Sequence, residues 1–470
     1  MKLPEPVCIL GLGREGMSTY RFLRASNPTM KLLCADIHPR NKLDADWVRM
    51  TAQDVNTTFM TGSTYLEALS ASATIVRSPG ISPFIPEVQA ARKAGIIFTS
   101  QTQLFLEQYR DKVIGVTGTK GKSTTASLIA HILQTANIPA QLLGNIGIPP
   151  LDAVADKQPT WFVLELSAHQ LYDVTISPHI AVILDITQEH LDYYPDRVTY
   201  IAAKGSMTRY QMNDDHVIYS RSSDTVLRLV HNSHAHRHLW SWGPATDAAI
   251  WEDDQRIVLH GEHLIAIHEI PLLGHFNLAN VMSAAMAASL VGVPSTIIAQ
   301  AIRSFQPLPV RLEKVGTYNG ITFYDDSLAT TPEATIAALD ALDTPDQNAS
   351  AVGSIILGGH ERNADFHSLA ERLTKSSVKT IILLPTVGKR IEQTLLSNEP
   401  DFATTHTVIH ADTMDAAVQA CFEHTPPNSI CLLYTAAPSF SMFKDYQEKS
   451  KAFRDAILNY RNPSQRRINQ

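Results

Sequence analysis

Cysteine is scarce. Cys8, Cys34, Cys421 and Cys431 are the only four in 470 residues, and no two have Cys-x-x-Cys spacing. That excludes a disulfide-framed secreted scaffold and a zinc ribbon, and predicts buried thiols in a reducing compartment. No apolar run approaches the ~20 residues needed to cross a bilayer. Residues 1–13 lack the basic stretch, apolar core and cleavage site of a signal peptide. The expectation is a cytoplasmic protein with no membrane partner. Basic charge is not in excess either. A formal charge of −7 argues against a nucleic-acid partner, which would require a basic face. A single nucleotide in a locally positive loop remains compatible with it. Internal repeats and low-complexity tracts are absent.

What is present reads as α/β. A chain of 470 residues predicts two to four domains, each large enough for its own core. Strand-like and helix-like stretches alternate in three blocks, the pattern of parallel sheets. The first block opens with a strand running into Gly11-x-Gly13-x-x-Gly16, followed by a second strand, 31–36, that ends in Asp36. Residues 77–81 read as a turn at a strand end. The second block starts at Val113, with further strands at 162–167 and 180–186. Residues 213–268 alternate more and predict an antiparallel edge, and 274–290 predict a helix. A proline-containing linker at 306–311 precedes a third block with strands near 321–325, 354–359, 378–384 and 429–434.

The phosphate loop carries the most chemistry. Val113-Ile114 leads into Gly115-Val-Thr-Gly-Thr-Lys-Gly-Lys-Ser-Thr124, and a helix-like segment follows. Strand, glycine-rich turn and helix form a cradle of backbone N–H groups, to which the helix N-terminus adds partial positive charge. Lys122 is placed to reach the β/γ-phosphates of ATP, and Ser123 to hold Mg²⁺. Val116 stands where the commonest form of this loop has glycine. The alternative is an ordinary tight turn with an exposed lysine.

Other residues are more ambiguous taken singly. Glu165 ends an apolar strand, where an unpaired carboxylate is costly. It either meets a metal ion near the phosphate loop or pairs with a lysine or helix N-terminus. Asp185, Glu189, His190 and Asp192 follow the next apolar strand, at the carboxyl end where such sheets bind ligands. Gly11, Gly13, Gly16 and Asp36 match a dinucleotide fingerprint and suggest NAD. The histidine-rich run 231–238 is expected to be an exposed turn.

The motifs resemble, in order and spacing, those of the Mur ligase superfamily, whose members join amino acids to cell-wall precursors. They are G-T-K-G-K-S-T (118–124), L-G-N-I-G (143–147), E-L-S-A-H-Q-L (165–171), E-H-L-D (189–192), A-A-K-G (202–205), H-F-N-L-A-N (275–280), L-P-V-R-L-E (308–313) and D-D-S-L-A-T-T (325–331). The resemblance covers essentially the whole chain. It implies a Rossmann-like N-terminal domain (1–100) for the UDP substrate and a central P-loop, parallel-sheet domain (101–307) for ATP. A C-terminal Rossmann-like domain (308–470) would take glutamate. The short first domain and the A-A-P-S-F-S-M-F-K-D-Y segment (436–446) are similar to the glutamate-adding members. Those members extend UDP-N-acetylmuramoyl-L-alanine with ATP and Mg²⁺ in peptidoglycan synthesis. The protein is expected to be a monomer.

The resemblance also implies roles for individual residues. Lys122, His190 and Lys204 would be catalytic. Gly118, Thr119, Lys120, Gly121, Lys122, Ser123, Thr124, Asn277, Asn280, Arg311 and Asp326 would bind ATP. Gly13, Glu15, Gly16, Asp36, Ser78, Gly80 and Asn145 would bind the UDP substrate, a better fit to the first block than NAD. Thr330, Arg362, Ser439, Phe440 and Tyr446 would bind glutamate. Ser123, Glu165, His190 and a carbamylated Lys204 would hold metal. D-glutamate is the expected amino acid. The L-glutamate-adding relative, a folylpolyglutamate synthase-like ligase and a non-catalytic nucleotide switch are the alternatives.

Overall fold

The computed structural model describes residues 2–155, 160–187, 193–221, 223–343, 351–440 and 442–461. The chain forms two compact units. One comprises Met1–Ile270 and Ala279–Phe305, the other Pro271–Leu278 and Gln306–Gln470.

The first unit contains two sheets. In the first, β1 (Val7–Leu10), β2 (Leu32–Asp36), β3 (Thr57–Thr61), β4 (Thr74–Arg77) and β5 (Ile97–Thr99) run parallel in the order β3-β2-β1-β4-β5. β1 is buried on both faces, with Cys8 and Leu10 in one cluster and Val7 and Ile9 in another. This explains its unbroken apolar sequence. The chain leaves β1 towards β2 and β3, then crosses to β4 on the other side. The carboxyl end of β1 is therefore a topological switch point, where sheets of this kind take ligands.

The second sheet has nine strands: β6 (Val113–Thr117), β7 (Ala140–Gly144), β8 (Trp161–Glu165), β9 (Ile180–Ile183), β10 (His216–Ser220), β11 (His236–Trp242), β12 (Ala248–Asp253), β13 (Arg256–Leu259) and β14 (Glu262–Ala266). Their order is β14-β13-β12-β11-β10-β9-β6-β8-β7. β6 is the switch strand here, with β8 and β9 on its two sides. The edge is less antiparallel than its sequence suggests. β10, β11 and β12 continue the parallel sheet, and only β13 and β14 turn antiparallel. The helix Asp224–His231 supplies the crossover between β10 and β11 that a parallel pair requires.

The histidine run is exposed at His231, His234 and His236, but it is not simply a turn. His231 ends that helix, whereas His236 and His238 lie on β11, whose other half buries Leu239 and Trp240. His216 of β10 pairs in register with His236, and its Nδ1 lies 3.0 Å from His238 Nε2.

Helix caps set the positions of several side chains discussed below. Ser167 and Gln170 form a capping box at Ala168–Leu171. Asp196 caps Arg197–Lys204, accepting from Thr199 N at 2.7 Å. Among the described residues no helix is long and apolar enough to cross a membrane.

The second unit has a six-stranded sheet of β15 (Glu313–Tyr318), β16 (Ile321–Asp325), β17 (Val352–Gly358), β18 (Thr380–Leu384), β19 (Thr407–His410) and β20 (Ile430–Ala436), ordered β15-β16-β20-β17-β18-β19. β15 is antiparallel to β16, and the other pairings are parallel. Asn319 and Gly320, both with positive φ (51° and 78°), form the tight turn between β15 and β16.

Candidate active site

β6 ends at Thr117, and the phosphate loop turns into helix Lys122–Thr135. Two loop glycines are sterically required. Gly118 (φ 155°) would place a Cβ 2.6 Å from Leu184 Cβ, and Gly121 (φ 82°) would place one 2.2 Å from Asn280 Oδ1. Ser123 and Thr124 are buried in the first helical turn, where the backbone N–H groups have no helical partner. Lys122 Nζ donates to Thr119 O at 2.8 Å, curling back over the loop, while Lys120 is exposed.

The end of the next strand is tied to the same loop. Thr119 N donates to Asp185 O at 2.8 Å, and Thr187 N donates to Thr119 Oγ1 at 2.9 Å. Lys204, 2% exposed, donates from Nζ to Gly118 O at 2.8 Å and lies 5.0 Å from the ring centroid of Tyr200. A lysine distant in sequence is thus fixed against the phosphate loop. On helix His275–Leu290, Asn280 Oδ1 accepts from Thr125 Oγ1 at 3.1 Å. Asn277 on that helix donates its side-chain amide to Leu273 O at 2.6 Å.

Glu165 is 1% exposed and pairs in register with Val116 of the switch strand. Its Oε1 accepts from Asn145 Nδ2 at 3.0 Å, and its Oε2 has no hydrogen-bond partner among the described residues. A buried carboxylate oxygen left unpartnered beside a phosphate loop fits a hard divalent cation such as Mg²⁺, which prefers oxygen donors. Glu189, His190 and Asp192 lie outside the described residues. Among the described residues, no group of three or more His, Cys, Asp or Glu is arranged to hold a metal by itself. A cation here would need phosphate oxygens and water as well, the usual situation for Mg²⁺.

A cleft of about 470 Å³ opens at the carboxyl end of β1. Gly13, Glu15, Asp36, Ser78, Gly80 and Asn145 all line it. Gly16 packs closely against the turn, where a Cβ would meet Gly11 O at 2.2 Å. The Asp36 carboxylate shapes the turn, accepting from Leu12 N at 2.7 Å and His38 N at 2.8 Å. Burial raises the Glu15 carboxyl above the usual range, opposed by a 2.9 Å hydrogen bond from Gln170 Nε2 and by Arg14 and Arg77. Gln170 belongs to the capping box that follows Glu165, so the cleft and the carboxylate strand are joined by hydrogen bonds.

In the second unit, Asp326 follows β16, and burial pushes its carboxyl up to about 7 against the pull of Arg311. Asp325 is fully buried and accepts from Ser327 Oγ at 2.5 Å and Ser450 Oγ at 2.6 Å. Ser439 is buried beside Lys449, whose Nζ donates to Thr435 Oγ1 at 2.7 Å. Thr330 is partly buried, whereas Arg362, Phe440 and Tyr446 are exposed, so the structure does not gather these residues into one closed pocket.

Comparison with known proteins accounts for this arrangement. The profile of the Mur ligase MurD-like N-terminal domain matches residues 5–100. That of the Mur ligase middle domain matches 116–288, and that of the Mur ligase glutamate ligase domain matches 310–436. The chain belongs to the Mur ligase family. This Mur ligase is 34% identical to a UDP-N-acetylmuramoylalanine–D-glutamate ligase of Solibacter usitatus over 82% of its own length and 84% of the relative's. It is 31% identical to a UDP-N-acetylmuramoyl-L-alanine–L-glutamate ligase of Xanthomonas euvesicatoria over 96% and 94%. Among solved structures, UDP-N-acetylmuramate-alanine ligase MurC from Thermotoga maritima shares the fold, with a TM-score of 0.60 at 15% identity over 97% of this chain and 99% of that one. The Mur ligase is accordingly an acid–amino-acid ligase of an ATP- and Mg²⁺-dependent family.

Some buried polar residues of this Mur ligase had no motif to mark them. Arg77 and Asp173 are nearly inaccessible and form an ion pair at 2.6 Å. Tyr200 in the first unit and Lys449 in the second are likewise outside every motif, whereas Gln170 falls in E-L-S-A-H-Q-L (165–171) without its contact to Glu15 being readable there. The signal available for Tyr200 was that it lies four residues before Lys204.

Proposed function

We propose that this chain adds glutamate to UDP-N-acetylmuramoyl-L-alanine in the cytoplasm, forming ADP and phosphate, with D-glutamate as the amino acid. The observation that carries the reading is the junction of two sites in the first unit. Asn145 lines the β1 cleft and also holds Glu165, whose other oxygen has no partner among the described residues beside the phosphate loop. A sugar nucleotide in that cleft would present its carboxylate next to the γ-phosphate.

In this reading the alanine carboxylate oxygen attacks the γ-phosphorus, the bond to the β-phosphate oxygen breaks, and ADP leaves. The glutamate amine then attacks the acyl carbon of the acyl phosphate, loses a proton, and expels phosphate. Mg²⁺, held by Ser123 and Glu165, would supply charge neutralisation for the phosphate oxygens. Lys122 would swing from Thr119 O to the β/γ-phosphates as phosphoryl transfer develops negative charge. Lys204 carries the role of a carbamylated ligand in this proposal, since its Nζ already lies against the loop at Gly118. Arg311 and Asp326 would bind the nucleotide, and Thr330, Arg362, Ser439, Phe440 and Tyr446 the incoming amino acid.

The L-glutamate reading is kept as the alternative, because the 31% identity to the Xanthomonas euvesicatoria enzyme is comparable to the 30–34% identity to D-glutamate ligases. One assay separates the two. The protein is incubated with ATP, Mg²⁺, UDP-N-acetylmuramoyl-L-alanine and each glutamate enantiomer, and phosphate release is measured. Release with D-glutamate alone supports the proposal, and release with L-glutamate alone replaces it with the second reading. Absence of release with both overturns the assignment of this sugar-nucleotide substrate.

A further inference from the structure

One wall of the β1 cleft is the loop Ser78–Ile81. From the cleft side it is fixed to the glycine turn, since Ser78 N donates to Leu10 O at 2.8 Å and Ser78 Oγ to Gly11 O at 2.8 Å. From behind, it is gripped by residues that do not line the cleft. Arg77 Nη1 donates to Ser78 O at 3.3 Å and also to Ile81 O. Tyr193 Oη lies 2.9 Å from Pro79 O and 3.1 Å from Ile81 O, within donating distance of both. Three of the loop's four carbonyl oxygens are thereby engaged by donors outside the cleft.

Tyr193 belongs to the second sheet's domain, and Arg77, at the end of β4, is tied to it through Asp173. Asp173 accepts from Arg77 Nε at 2.6 Å and from Arg92, and the side chains of Arg77 and Asp173 are 1% and 2% exposed. Tyr193 packs against His169 with ring centroids 4.0 Å apart, and Phe84, next to the loop, packs edge-on against Tyr172 at 5.3 Å. A buried ion pair of this kind is weak evidence for stability, because desolvation offsets its Coulomb gain. It does impose a geometry. The loop and Arg77 belong to the first sheet's domain, while Tyr193 and the Asp173 that orients Arg77 come from the neighbouring one.

We propose that Tyr193, with Arg77 and Asp173 behind it, is a positioning residue for sugar-nucleotide binding: it holds the carbonyl oxygens of Ser78–Ile81 away from the cleft so that the wall can accept a diphosphate. The electrostatics supply the reason. A carbonyl oxygen turned into the cleft would face an anionic ligand with partial negative charge and without its donor, and a buried polar group stripped of its partner is costly. The proposal rests on the sugar-nucleotide reading of the cleft and adds to it a residue from outside the cleft.

Y193F is the decisive variant, because it removes one hydroxyl and keeps the ring packing. Substitution of Arg77 or Asp173 would strand a buried charge and risk unfolding. Dissociation constants are measured by calorimetry for UDP, for UDP-N-acetylmuramoyl-L-alanine and for Mg·ATP, alongside the unfolding midpoint. In Y193F both uridine ligands should bind about tenfold more weakly, the loss expected for one to two hydrogen bonds, with Mg·ATP affinity unchanged. R92M, which removes the Asp173 partner that does not touch the loop, should bind both uridine ligands like the wild type. Unchanged uridine-ligand affinity in Y193F overturns the proposal, as does an equal loss for Mg·ATP or an equal loss in R92M. Failure of the wild-type protein to bind either uridine ligand would instead remove the underlying sugar-nucleotide reading, and this proposal with it.

Discussion

Asn145 donates to Glu165 Oε1 at 3.0 Å and leaves Glu165 Oε2 buried with no partner among the described residues. Without ligand, a buried carboxylate in that state lowers stability. E165Q should therefore raise the unfolding temperature of the ligand-free protein by a few degrees, equivalent to about 1–2 kcal/mol. It should also lose the further rise that Mg·ATP gives the wild type. Thermal unfolding with and without Mg·ATP checks both, and a ligand-free midpoint lower than wild type would argue against an uncompensated charge.

Lys122 bonds to the carbonyl of Thr119 in its own loop. K122A should preserve the fold, shown by an unchanged far-ultraviolet circular dichroism spectrum, and reduce phosphate release by about 10²–10³-fold through loss of positive charge at the transferring phosphoryl group. Retained turnover would mean that the loop does not hold the reacting triphosphate.

Asp326 gives a pH signature in the second unit. Burial raises its carboxyl from 3.8 to about 7. The folded state then holds a proton that the unfolded chain releases, so this contribution to stability is full below pH 3.8 and is lost as pH rises through 7. Denaturant titrations across pH 5–8 should show that loss in the wild type and a flatter profile in D326N.

The histidines of β10 and β11 act in the opposite sense. Burial, together with His216, His236 and His260, lowers His238 from 6.5 to about 4. His216 is also lowered, by burial, His179 and His236, against the opposing pull of Asp215 and Asp214. Between pH 6.5 and 4 the unfolded chain binds the extra proton, so stability falls as pH drops through that window. H238Q should lose less stability than the wild type between pH 7 and 5 in urea titrations. An equal loss would assign the effect elsewhere.

The phosphate loop was legible because its determinants are contiguous: an apolar strand, glycines at 118 and 121, and a lysine at the helix start. β1 and Gly11–Gly16 were readable for the same reason. β15 was missed, since the third block was read from 321, although Asn319-Gly320 is a local hairpin signal. The parallel course of β10–β12 was hidden, because alternation reports one exposed face and says nothing of strand direction. Arg77 and Asp173 were hidden more thoroughly. Each reads as a surface residue until the fold brings together positions 96 apart in the chain and removes water from both.

The four thiols offer a stopwatch for each unit. All are buried, and burial pushes Cys8 up to about 12 and Cys34 and Cys421 well above the ordinary thiol range. Reagents that require a thiolate should therefore pass over the native protein and label only molecules that have opened. Modification at Cys8 and Cys34 times the opening of the first unit, and modification at Cys421 and Cys431 that of the second. Mass spectrometry of quenched samples would then show, from one native preparation, which half of the enzyme breathes first and which ligand stills it.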